Sequence, residues 1–136
     1  MPIWLAFLII FLLLDCALII WISLRGRLKP FRSEELNYMR AHWIRILDSF
    51  DSHPREAVMD ADKLVDYALM RQGFEGSLGE KLKKAGRRFS DLNGLWRAHK
   101  LRNKIAHELS DKLNKGEAKS ALIRFKKALN DLGAKL

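Results

Sequence analysis

Between Leu95 and Ser110 the chain reads LWRAHKLRNKIAHELS, which gathers two histidines, an arginine and an asparagine into a segment with helical apolar spacing. Those side chains share a definable chemistry. An arginine offers a planar fork of donors that matches a phosphate. A histidine titrates near neutrality and can give or take a proton in phosphodiester cleavage. An asparagine can orient either partner. At helical spacing His99, Asn103 and His107 stack four apart on one face. Arg102 comes five residues before His107, about 140° round the helix, so the two flank a groove rather than touch. His99 and His107 are separated by roughly 12 Å of helical rise, too far to share one metal ion. Neither a thiolate, nor paired acids on this helix, nor a phosphate-cradling glycine loop accompanies them, so no metal or cofactor is expected.

Charge points toward a polyanion. Residues 81–127 hold fifteen Lys or Arg against four Asp or Glu, a local net of +11, whereas the whole chain carries +9. Such a concentration suits RNA, DNA or a lipid surface, while plain solvated helix faces are the alternative. Around the motif, the candidate nucleic-acid contacts are Arg97, His99, Lys100 and Lys104. On the segment before it, MDADKLVD puts Asp62 and Asp66 on one helical face, where they are candidate structural partners of the Arg–Asn–His set. Asp60 is a third. A network of that kind fixes packing and does no chemistry.

The elements that must position these residues follow from spacing and punctuation. Ser33 is the expected N-cap of a helix with Glu34 and Glu35 in its first turn, and Leu36, Met39, Trp43, Ile46, Leu47 and Phe50 form its apolar face. Pro54 starts a second helix that carries Ala57, Ala61, Leu64, Val65, Ala68 and Leu69 to Gly73. SLGE at residues 77–80 has capping-box spacing and heads a short helix through Phe89. Asp91 caps the next, whose stripe is Leu92, Leu95, Ala98, Leu101, Ile105, Leu109 and Leu113. A turn at residues 114–116 leads to a last helix burying Ala118, Leu122, Phe125, Leu129 and Leu132. Trp43 and Trp96 are expected as core or interface aromatics rather than base-stacking platforms. Residues 33–136 thus read as an all-α bundle of about five helices, long enough to bury a core.

Ahead of the bundle, residues 3–24 carry one charge, Asp15, and fifteen of these 22 residues are Leu, Ile or Phe. A helix of that length reaches about 33 Å, enough to cross a bilayer core of ~30 Å. Those apolar residues favour insertion by up to roughly 5–9 kcal/mol, against about 2.5–3.5 kcal/mol for Asp15 near the middle. A transmembrane helix is therefore expected, with Asp15 either a helix-association group or a tolerated carboxyl. A cleaved signal peptide fits less well: no Lys or Arg precedes the run, and no Ala-x-Ala-like site follows it. The Leu-Leu-Asp before Cys16 departs from a lipoprotein box, which needs a small residue there. Arg25, Arg27, Lys29 and Arg32 come straight after the span, in a basic connector (residues 25–32) suited to anionic headgroups. They orient the N-terminus outside and the bundle in the cytoplasm of a single-pass cell-membrane protein. The lone Cys16 lies in the span, so no disulfide framework is expected in the bundle.

The hexapeptide Arg102-Asn103-Lys104-Ile105-Ala106-His107 resembles the R-x4-6-H motif, with a polar residue after the arginine, of HEPN (higher eukaryotes and prokaryotes nucleotide-binding) domains. The surrounding AHKLRNKIAHE looks like their last long core helices, and the likeness spans roughly residues 57–132. The resemblance implies a small helical bundle, commonly a homodimer that brings two motifs into one cleft. For many relatives it implies a metal-independent endoribonuclease. By that carry-over His107 assists attack of the ribose 2′-hydroxyl on the phosphate, Arg102 holds and neutralises the phosphate, and Asn103 orients them. Other members are non-catalytic RNA-binding or protein-interaction domains, and a membrane anchor lies outside the usual pattern. The expected function is RNA binding at a membrane, with cleavage a further step. The alternative is a tethered interaction module in which the Arg–Asn–His set is structural.

Overall fold

Helical punctuation dominates this chain, and the elements it delimits are all helices. The computed structural model describes residues 2–109 and 112–136. Among them run α1 (Ile3–Arg25), α2 (Ser33–Ser49), α3 (Pro54–Arg71), α4 (Leu78–Ala85), α5 (Leu92–His107) and α6 (Lys115–Asp131), with a 3-10 turn at Gly86–Arg88 after α4. No strand is present among the described residues.

α1 stands apart from the bundle. Residues Ile3–Leu24 have a mean hydropathy of 2.9 and none is buried, so the helix is long and apolar enough to cross a membrane. Asp15 and Cys16 are exposed on it. The connector is held at its middle: the Lys29 N–H donates to Gln72 Oε1 (3.0 Å), and Gln72 Nε2 donates to the Lys29 carbonyl (2.8 Å). Phe31 packs partly buried close to Gly133.

Contacts between helix ends give the topology. Glu35, in the first turn of α2, pairs with Arg71 at the end of α3. Arg55, in the first turn of α3, donates to the carbonyls of Ile105 (2.9 Å) and Glu108 (3.1 Å) at the end of α5. Lys115 at the head of α6 lies 2.9 Å from Asp51, just past α2. α2 and α5 therefore run one way and α3 and α6 the other, with the connector at one end of the bundle. α3 is central and packs against α2, α4, α5 and α6. Its wide stripe of Ala57, Val58, Ala61, Leu64, Val65, Ala68 and Leu69 is buried. Alanines there and at 118, 121 and 128 of α6 let the two backbones approach closely around Phe125, Leu129 and Met39.

The caps have physical causes. Ser77 Oγ accepts from the Glu80 N–H (3.3 Å) and the Glu80 carboxylate accepts from the Ser77 N–H (3.2 Å), closing a capping box. Asp91 Oδ1 accepts from the Gly94 N–H at 2.9 Å. α3 and α6 both end on a glycine at positive φ, Gly73 at 91° and Gly133 at 98°. The following N–H in each case reaches back to a helix carbonyl, Phe74 to Leu69 (3.1 Å) and Ala134 to Leu129 (3.0 Å).

Four expectations are corrected. Ser33 is the first residue of α2, not its cap; the N-cap position is Arg32, whose N–H donates to Glu35 Oε2 at 3.0 Å. The α-helix after Ser77 stops at Ala85, and tight 3-10 geometry carries the chain toward Phe89. α5 ends at His107 because Glu108 turns extended, with the freed carbonyls taken by Arg55. Leu109 is consequently fully exposed, and Leu113 packs on the core from outside any helix. Leu47 is half exposed rather than core, because α2 is covered by α3 on one flank only.

Candidate functional site

The middle of α3 and the middle of α5 meet through a closed polar ring. His99 Nδ1 lies 2.8 Å from Asp62 Oδ1, and both residues are buried. Arg102 Nε lies 3.4 Å from Asp62 Oδ2, within ion-pair range but out of hydrogen-bond line. The guanidinium of Arg102 also donates to Asn103 Oδ1 at 3.0 Å. That bond fixes the amide orientation of Asn103 and leaves its Nδ2 3.4 Å from His99 Nε2.

The ring has a direction. With Asn103 Nδ2–H donating, His99 Nε2 is an acceptor, so Nδ1 carries the proton and donates to Asp62. Both nitrogens of His99 are then engaged by protein groups. A general base needs one ring nitrogen open to substrate. The arrangement orients α5 on α3 and leaves His99 no free valence for catalysis.

Helical drift separates the sequence motif into parts. Each four-residue step overshoots a full turn by about 40°. The face that is buried at His99 is therefore half-buried at Asn103 and exposed at His107. His107 makes no hydrogen bond or ion pair among the described residues, and the ring excludes it. Asp66, one turn from Asp62, faces α4 instead: Lys81 Nζ is buried and sits 2.9 Å from Asp66 Oδ1. Trp96 is partly buried, with its ring edge-on to His99 at 6.0 Å between centroids.

On the other side of α5 lies a cleft of about 670 Å³ against α6. Arg97, Lys104 and Arg124 line it, with Leu101 and Ser120 between them and Glu117 as its one acid. Arg97 makes no ion pair among the described residues, and neither does Arg124. Lys104 has only a long contact to Glu108, at 3.9 Å. Lys100 is exposed beside this surface. Sequence reasoning that follows α5 alone misses Arg124; the signal for it is the charge excess running on into α6. Among the described residues no group of three His, Cys, Asp or Glu converges as metal ligands would. No family model, curated protein or solved structure matches the chain.

Proposed function

We propose that this chain is a membrane-anchored helical module that binds RNA in the basic cleft between α5 and α6, and that the Asp62–His99–Asn103–Arg102 ring is a structural clamp that holds α5 on α3. The observation that carries this reading is the division of labour on α5. On one flank Asp62, His99, Asn103 and Arg102 hold one another beside a cleft of about 440 Å³ whose cations are offset by Asp62 and Asp66. On the other, Arg97 and Lys104 join Arg124 around a cleft with Glu117 as its one acid. Three cations with one acid along a groove favour a backbone of phosphates, and leucine and serine between them tolerate sugar edges. In this reading the likeness to HEPN domains extends to the bundle and its motif helix. α1 lies in the cell membrane with the bundle in the cytoplasm, and the basic connector touches anionic headgroups. Two chains associate as a homodimer.

Cleavage is a second reading, favoured by one observation: His107 is exposed, outside the ring and at the end of the same helix. There its imidazole would act on RNA that the cleft has already bound.

The test uses the full chain in phosphatidylcholine nanodiscs with fluorescein-labelled single-stranded RNA, read by anisotropy and by gel. Arg97→Glu with Arg124→Glu removes binding, while Arg102→Gln lowers the melting temperature and leaves affinity per folded molecule unchanged. Affinity that follows Arg102 and ignores Arg97 and Arg124 overturns the cleft reading. RNA cut by the parent chain and left intact by a folded His107→Ala variant establishes the second reading.

A further inference from the structure

The surface between α2 and α6 is a different kind of groove from the α5–α6 cleft. It encloses about 590 Å³ and its walls are mainly apolar, with Trp43, Leu47, Phe50, Leu122 and Ile123 along them. Trp43 is buried, and its indole N–H has no acceptor among the described residues. Leu47 and Ile123 are 51% and 61% exposed, and Ile44, one turn before Leu47 along α2, is 58% exposed. This is a continuous apolar strip that no element of the described chain covers.

Its border is cationic. Lys115, Lys119 and Lys126 line it on the α6 side, and Asp51 is the one acid among the lining residues. Asp51 is already taken by Lys115 at 2.9 Å, which holds its carboxyl below the usual range. Lys119 and Lys126 make no ion pair among the described residues. The lining of α6 runs over twelve residues, from Lys115 to Lys126, which is about 16 Å or three helical turns.

We propose that this groove docks an acidic amphipathic helix of a partner protein, laying its apolar face on Leu47, Phe50 and Ile123 and its carboxylates along Lys119 and Lys126. Three turns of open apolar trough with one charged bank is the geometry that helix-in-groove recognition uses. Charge selects the partner's sign. A second copy of this chain fits poorly, because a two-fold contact would oppose lysine banks to each other. A lipid surface fits poorly too: the groove lies toward the far end of α2, about 20 Å of helical rise beyond Ser33 and the membrane connector.

The full chain in phosphatidylcholine nanodiscs is titrated with three fluorescein-labelled peptides of about three helical turns each. One is a Leu/Glu amphipathic helix, one is its Leu/Lys counterpart, and one is the Leu/Glu composition scrambled so that no apolar face forms. The Leu/Glu helix alone gives saturable binding. Leu47→Glu weakens it about tenfold, and so does Lys119→Glu combined with Lys126→Glu, with circular dichroism unchanged because these side chains are exposed. The lysine reversal also transfers preference to the Leu/Lys helix. Binding of the scrambled peptide as tight as that of the amphipathic one overturns the proposal, as does absence of saturable binding. A fall in oligomeric state on Leu47→Glu, seen by sedimentation in detergent, overturns it in favour of a second copy. RNA binding is measured in parallel on the same variants, so failure here stands apart from failure of the α5–α6 cleft.

Discussion

Asp62 and His99, 37 residues apart in sequence, meet at 2.8 Å in the interior of the bundle and tie α3 to α5. Replacing Asp62 by Ala strands a buried imidazole and removes the carboxylate beside Arg102 Nε. Each orphaned group costs about 1–3 kcal/mol. For a bundle near this size, each kcal/mol lowers the melting temperature by about 4–8 °C. Thermal denaturation followed by circular dichroism in detergent should show that drop, and His99→Ala should add little once Asp62 is gone.

The basic cleft predicts a salt signature. On single-stranded RNA, each phosphate that a protein ceases to neutralise lowers the slope of log affinity against log salt by about 0.7. Arg97→Gln and Arg124→Gln should therefore each flatten the slope by about that amount, whereas Arg102→Lys should leave it alone. Anisotropy titrations at several salt concentrations measure all three.

Phe125 is fully buried where α6 meets the other helices. Phe125→Ala opens a cavity that a close-packed interior refills only in part, costing about 3–5 kcal/mol. Chemical denaturation should show a lower midpoint. RNA affinity measured on the fraction still folded should be unchanged, since Phe125 lines neither groove.

Acid sensitivity comes partly from His42. Its ring lies 4.1 Å from that of Tyr38, and burial, helped by the nearby Arg45, pushes its pKa below the usual 6.5, with Asp60 opposing. In the unfolded chain the ordinary value returns, so the unfolded state takes up the proton first as pH falls. The contribution of neutral His42 is complete above pH 6.5 and is lost in the window below it. Melting temperature should decline between about pH 7 and pH 5, less steeply in His42→Gln. Glu35, held below its usual 4.5 by the Arg32 N–H and by Arg71, and Asp51, held below its usual 3.8 by Lys115, act in lower windows. Their stabilising effects are lost as pH falls below about 4.5 and about 3.8 respectively.

Local chemistry makes much of the architecture readable. Pro54, Ser77 with Glu80, Asp91 and Gly73 each act within five residues, and each lies at the helix boundary that its side chain or backbone freedom implies. The apolar stripe of α5 overstates the helix by nearly two turns, because the period continues through Leu109 to Leu113 while Arg55, distant in sequence, takes the carbonyls where the helix stops. By spacing alone Asp62 and Asp66 are equivalent partners for the motif. The rotation of α3 against α5 and the claim of Lys81 on Asp66 separate them, and neither is encoded locally. The α2–α6 groove is illegible in the sequence for the same reason, since its walls come from helices far apart in the chain.

The paired hydrogen bonds between Lys29 and Gln72 leave only a few residues of slack between the hydrophobic helix and the domain. With α1 in a bilayer, so short a tether would hold the bundle within a few nanometres of the lipid. Anything bound in either groove would then share that confinement to the membrane surface.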